Sequence, residues 1–243
     1  MGRIFLTGDC HKNFGRLRRF CKKEQTTTDD ILILLGDSCI NYYLDERDDH
    51  DKKFLSKLPI TMIIVHGNHE ERAWNCEGYQ KAMLSSDIKG DFYIQEEYPN
   101  LLFCHDLDLF YINGKSFAVI SGAYSVDKWY RLENGWHWFN SEQIPEEDMQ
   151  SFIDVLEFHI KNKHEKMRYD YVLSHTCPTK YMPTDLFLSG IDQSKVDKRT
   201  EEFLEKVENL ISYDEWFFGH FHDDRQSWDK GTMLFECFHE LKI

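Results

Sequence analysis

The chain has 243 residues, of which 41% are hydrophobic and 15% aromatic, and its formal net charge is −14. This is ordinary globular composition without an apolar run near the roughly 20 residues that cross a bilayer, and the acidity opposes extended contact with long nucleic acid. The length suits a single domain over 1–243, the first residues lack a secretory pattern, and seven scattered cysteines fit reduced thiols in a cytoplasmic protein.

In chain order, buried strands are expected at Ile4–Thr7, Ile31–Leu35, 60–65, 116–121, Tyr171–Ser174 and 216–218, each a short branched or aromatic run bounded by Gly or polar residues. Helical spacing at 14–21 and a short helix after residue 70 fall between them. The segment 101–120 holds Asn113-Gly114, a hairpin signal. An aromatic loop follows at 122–140, either a substrate wall or packing over the sheet. The clearest helix begins near Pro145 with an acidic first turn and carries Met149, Phe152, Ile153, Leu156 and Ile160 on one stripe. A second covers 200–211. Strands alternating with helices imply an α/β fold with a largely parallel sheet. The basic stretch around Arg16, Arg18, Arg19, Lys22 and Lys23 reads as a solvated helix face.

Five of these strands end on chemistry-bearing clusters: Gly8-Asp9-Cys10-His11, Gly36-Asp37, Gly67-Asn68-His69-Glu70, Ser174-His175 and Gly219-His220-Phe221-His222. In extended backbone, residues i and i+2 share a side, so Asp9 can act with His11 and His220 with His222. Asp9, His11, Asp37, Asn68, His175, His220 and His222 form a nitrogen and oxygen ligand set without thiolate, suited to Mn, Fe or Zn. Seven candidates exceed the needs of one four-coordinate ion, so two ions are expected. Asp37 is the natural bridging carboxylate, since two such ions activate water for in-line attack at phosphorus.

The order D-x-H, GD, GNH(E/D), a lone His and GHxH resembles the calcineurin-like metallophosphoesterase superfamily across nearly the whole chain. The resemblance implies a two-sheet β-sandwich flanked by α-helices, with the metals at strand C-terminal ends. It also implies that Asp9, His11 and His222 hold one metal, that Asn68, His175 and His220 hold the other, and that Asp37 is shared. His69 would stand near the leaving-group oxygen and assist its departure. The implied activity is hydrolysis of phosphate esters by metal-activated hydroxide. The alternatives are a phosphodiesterase or nuclease acting on nucleotides or nucleic acid, and a non-catalytic metal-binding scaffold.

The phosphoprotein phosphatases of the superfamily have Asp and Arg where this chain has Ile40 and Asn41, and Arg where it has His66. A small molecule or nucleotide is therefore the expected substrate. His66 and the His105-Asp106 pair lie at strand ends but outside the ligand set. Glu70 is expected to make a loop hydrogen bond. Lys128, Arg131 and Arg225 could meet a phosphate oxygen, though each is expected at the surface. Cys10, Cys39 and Cys177 adjoin the ligand loops without serving as nucleophiles.

Overall fold

Strands that are buried on both faces need apolar side chains at every position, which is why they read as unbroken runs rather than alternations. In the computed structural model, which describes residues 2–242, the first half of the chain comprises β1 (Ile4–Thr7), α1 (Phe14–Glu24), β2 (Ile31–Leu35), α2 (Glu46–Leu55), β3 (Thr61–Val65), β4 (Gln80–Ser85), β5 (Ile88–Ile94), β6 (Leu101–Phe103), β7 (Leu107–Ile112) and β8 (Lys115–Ile120). There follow α3 (Lys128–Glu133), α4 (Glu146–Lys163), β9 (Met167–Arg168), β10 (Tyr171–Ser174), α5 (Arg199–Leu210), β11 (Ile211–Ser212), β12 (Glu215–Phe218), β13 (Gly231–Met233) and β14 (His239–Leu241).

Twelve strands form one curled sheet in the order β13-β12-β10-β8-β7-β5-β6-β3-β2-β1-β14, with β4 beside β5; β9 and β11 form a small second sheet. Strands β1, β2, β3 and β6 are mutually parallel, as are β8, β10, β12 and β13, and antiparallel pairs around β5 and β7 join the two groups. The mixed α/β class holds. So does the helix-flanked sandwich, whose two packed layers are halves of one curled sheet continuous through β5.

Side-chain alternation explains why this sheet folds onto itself. On β2, Ile31, Ile33 and Leu35 point into a core shared with Ile4, Leu6, Ile63 and Val65 from one half and Phe110, Phe117, Leu173 and Phe217 from the other. Leu32 and Leu34 point outward onto Phe14, Leu17 and Phe20 of α1. On the opposite outer face Ile120, Val172, Trp216 and Phe218 pack under Ile153 and Leu156 of α4 and Phe203, Leu204 and Val207 of α5. The layers are therefore helix, half-sheet, half-sheet, helix. At about 25 cal/mol per Å2 of apolar surface removed from water, three such cores supply the main driving force for folding.

Local signals account for most boundaries. Asn113 and Gly114 take φ of 53° and 81°, the left-handed pair that a tight hairpin between β7 and β8 requires. Helix α4 follows Pro145, starts with Glu146, Glu147 and Asp148 and ends on His164 at φ 58°. The helix expected after residue 70 is instead a single 3-10 turn at Ala73–Asn75, because the chain turns at once into β4. Arg16 departs from the expected solvated face: it is buried and donates to the carbonyls of Gly8 and Phe235. Arg18, Arg19, Lys22 and Lys23 are exposed or nearly so.

Candidate metal centre

Parallel pairing brings the C-terminal ends of β1, β2 and β3, and of β8, β10 and β12, to common rims, and the five clusters leave from there. The loops are not extended, contrary to the i, i+2 expectation. His11, Asp37, His220 and His222 have φ of 42°, 42°, 69° and 53°, so tight left-handed turns aim these side chains inward. Such backbone is costly for non-glycine residues and persists where surrounding structure over-determines it. Here the carbonyl of Asp37 accepts from the amides of Cys10 and His11 at 3.0 and 2.8 Å, Asp9 Oδ1 accepts from His220 N at 2.9 Å, and Asp37 Oδ1 accepts from His69 N at 2.9 Å. Two glycines permit the close approach: a Cβ at Gly36 would lie 2.1 Å from His175 Nδ1, and one at Gly67 would lie 2.0 Å from Asp37 Oδ1.

All seven expected ligands and His69 converge. Ligating atoms of Asp9, His11 and His222 lie within 4.8 Å of one another, as do those of Asp9, Asp37 and His175. His220 sits against His175 with ring centroids 5.0 Å apart, and Asn68 Oδ1 is 2.8 Å from His175 Nε2. Asp37 faces both sides: its Oδ2 is 3.9 Å from His11 Nε2 and 3.7 Å from His69 Nε2, and its Oδ1 is 3.5 Å from His175 Nε2.

The chemistry of these contacts fits cations. His175 Nδ1 is 2.8 Å from the Leu35 carbonyl and so is the donor, which leaves Nε2 as a lone pair facing the oxygen of Asn68. Two acceptors thus meet at hydrogen-bond distance, and a shared cation satisfies both. On the other side His11 Nε2 and His222 Nε2 are 2.8 Å apart, next to a buried Asp9 Oδ2 that lies 3.2 Å from His222 Nε2 and 3.5 Å from His11 Nε2.

Burial would push the Asp37 carboxyl up, but His69 and His175 outweigh it and hold the group at about 2. Asp9 likewise overcomes burial, through His11 and His222, and lies well below the usual carboxylate range. Burial and the neighbouring His175 push His220 down to about 3. Anionic carboxylates and neutral imidazoles are the ligand forms that metals take. His69 is also lowered, by burial first and, against the pull of Asp37, by Arg131.

Around this set lies bracing that the sequence shows only in part. Glu70, 1% exposed, accepts from Ser38 Oγ and, at 3.0 Å, from Gly67 N, so it ties the second cluster to the third as a loop hydrogen bond should. Arg72, unremarked in the sequence, is buried, donates to Gly67 O at 2.7 Å and pairs with Asp106 at 2.8 Å. His66 is buried and accepts from Ala73 N; His105 stacks on Trp74. Both are structural. Ser125 accepts from Asn68 Nδ2 at 2.9 Å, which orients the amide oxygen toward His175.

Of the three cations that could meet a phosphate, Arg225 is paired with Asp185 and Asp223 and Lys128 lies over Trp138. Arg131 departs from the expected surface placement. Its side chain is only 12% exposed, its Nε pairs with Asp127 at 2.8 Å and its Nη2 is 3.2 Å from His69 Nε2. The only sequence signal was its place after a strand end in an aromatic loop. Cys10, Cys39 and Cys177 are free and buried, and burial raises all three thiols, Cys10 to about 11, which leaves none as a nucleophile.

Two recesses open from the centre. A cavity of about 280 Å3 is lined by Asp37, Asn68, His69, His220 and His222 together with apolar side chains of 182–196, and one of about 190 Å3 includes His11, Lys12, Tyr42, His69, Arg131 and Trp136. His69 borders both. Trp129, Tyr130 and Trp136 of the aromatic segment are exposed rather than packed over the sheet, and of its aromatic side chains only Phe139 is buried.

Solved structures similar to the chain include TT1561 of Thermus thermophilus (13% identity, 96% of this chain and 88% of that one, TM-score 0.48) and phosphopantetheinyl hydrolase from Mycobacterium tuberculosis (14% identity, 96% and 87%, TM-score 0.40). The calcineurin-like phosphoesterase YfkN from Bacillus subtilis is also similar (14% identity, 96% and 80%, TM-score 0.39). No curated protein sequence matches. The family model described as calcineurin-like phosphoesterase matches residues 2–224, the span that carries all five clusters, and the chain belongs to that family.

Proposed function

We propose that the protein is a metal-dependent hydrolase of phosphate esters with a dinuclear centre. The observation that carries this reading is His175 Nε2 facing Asn68 Oδ1 at 2.8 Å, two acceptors without a proton to share, while His11 Nε2 and His222 Nε2 converge at 2.8 Å in the other set and Asp37 lies 3.5 Å from His175 and 3.9 Å from His11. Asp9, His11 and His222 would hold one cation and Asn68, His175 and His220 the other. Asp37 is preferred as the shared ligand because its two oxygens face opposite sets, Oδ2 toward His11 and Oδ1 toward His175. Manganese, iron and zinc all suit this donor set. When bound, such ions polarise phosphoryl oxygens and lower the pKa of water, which supplies the nucleophile.

The protein's own groups do the rest. Arg131 offers a guanidinium that binds a phosphoryl oxygen bidentately, in place of the arginines absent at positions 41 and 66. With a phosphoryl oxygen to bind, Arg131 releases His69 Nε2, which beside Asp37 can then take up a proton from solvent and pass it to the departing alkoxide. Glu70 and Arg72 keep the two central loops in register. A metal-binding scaffold without catalysis would not need an imidazole placed between the centre and both recesses.

The test is turnover of p-nitrophenyl phosphate and of its bis-ester before and after chelation. Activity lost with a chelator, restored by Mn2+, and removed in Asp37→Asn is the expected result. Metal-loaded protein inert toward both esters would overturn the reading in favour of the scaffold. A strong preference for the bis-ester would assign a phosphodiesterase.

A further inference from the structure

The cavity of about 280 Å3 beside the centre is lined by residues of two kinds. The ligand-bearing loops and His69 form one part. The other is apolar: Met182, Leu186, Phe187, Leu188 and Ile191, all from the segment between β10 and α5, with Val126 from the loop after β8. Met182 and Leu186 also pack against the core under α4 and α5, but the rest of this surface is not core. Leu188 and Val126 are 64% and 38% exposed although both border a cavity, and exposed apolar side chains grouped at a concave site mark a surface that an apolar group covers.

Charge narrows the occupant. Among the described residues Lys198 is the only Lys or Arg lining this cavity, set against Asp127 and Glu201, so a second phosphate or a polyanionic chain finds no cluster of cations there. The volume is near the lower end of the roughly 300–1,000 Å3 of small-molecule pockets, which suits one chain or ring. A group esterified to phosphorus at the centre lies beside this lining by covalent necessity, whereas a separate partner would need an independent reason to bind there.

We infer that the substrate is a phosphate ester of a largely apolar alcohol, whose alkyl or aryl group occupies this cavity and gives the enzyme its preference. The 182–191 segment is then the specificity-determining element. This inference rests on the phosphoesterase reading of the centre and names its substrate class.

The test uses binding, so that it does not depend on turnover. Metal-loaded protein is titrated calorimetrically with n-alkylphosphonates from methyl to octyl, and with adenosine monophosphate. Affinity should rise about two- to fourfold per methylene until the cavity is filled, as burial of methylene groups requires. Adenosine monophosphate should bind more weakly than octylphosphonate. The double variant Leu188→Ser/Ile191→Ser should weaken octylphosphonate at least tenfold and methylphosphonate less than twofold, at unchanged Tm, since neither side chain is in a core cluster. Affinity independent of chain length, failure of every phosphonate to bind, or adenosine monophosphate binding more tightly would each overturn the inference. Hydrolysis of p-nitrophenyl phosphate alongside flat alkyl affinities would separate its failure from failure of the phosphoesterase reading.

Discussion

His69 lies 3.7 Å from Asp37 Oδ2 and 3.2 Å from a guanidinium nitrogen of Arg131, so one anion and one cation act on a single ring. Removing the ring should therefore harm chemistry more than metal binding. His69→Ala is expected to lower kcat by about 100- to 10,000-fold, the usual worth of a positioned acid or base, while metal content by elemental analysis stays at the wild-type value. Loss of metal in that variant would move His69 into the ligand set. Arg131 makes a different prediction. Arg131→Ala should raise KM for phosphate esters about 10- to 100-fold, the loss of a hydrogen bond between charged groups. Arg131→Lys should recover little, because an ammonium lacks the planar fork. Full recovery by lysine would reduce the role of Arg131 to charge alone. Arg131 could not be singled out from sequence: a guanidinium in a polar and aromatic loop looks like a surface residue until the fold places it beside His69.

Among the elements, the turns after the strands carry the candidate ligands, and their geometry limits what can replace Gly67. A Cβ there would meet Asp37 Oδ1 at 2.0 Å, and the far atom belongs to a side chain that is itself held by His69 N. Gly67→Ala should displace the Asp37 carboxylate and lower metal affinity at least tenfold, measured by competition with a chelator of known strength; unchanged affinity would show that the loop yields. Strands β1, β2 and β10 were legible to the residue because they are buried almost throughout and their positions must be apolar. Helix α2 was not. Its sequence Glu46–Leu55 has no apolar stripe, and it is held by polar contacts instead: Asp48 accepts from the amides of Tyr43 and Leu44 and from Lys12. The β4–β5 hairpin was missed for a related reason, since β4 is largely exposed at the edge of the sheet and needs no apolar alternation. The ligand clusters were legible by composition and order, but their left-handed turns were not, because His and Asp seldom adopt positive φ without tertiary support.

For the whole molecule, the centre ties sequence-distant strands together, so metal and fold should be thermodynamically linked. Stripped of metal, the protein keeps a His220 with a folded pKa of about 3 and an Asp37 at about 2. Both lie below ordinary values of about 6.5 and 3.9. The unfolded chain therefore binds protons more readily at each group, and stability falls as pH drops, first between about 6.5 and 3 through His220 and then from about 4 to 2 through Asp37. Urea unfolding of the chelated protein should show falling stability across both windows, offset in part by His11, which burial would lower but Asp9 and Asp37 raise; a loss of stability below pH 6.5 that is no smaller in His220→Gln would contradict the buried neutral His220. Metal should raise Tm at neutral pH by mass action and lose that effect as the ligands protonate. Among the described residues no helix is long and apolar enough to cross a membrane.

The central claim is that two ions shared by Asp37 make this site hydrolytic. It is tested most directly by adding Mn2+ stepwise to chelator-stripped protein while the rate of p-nitrophenyl phosphate hydrolysis is followed in the same sample. The rate should rise and saturate at two equivalents per chain; saturation at one equivalent, or no hydrolysis at any, would contradict the account.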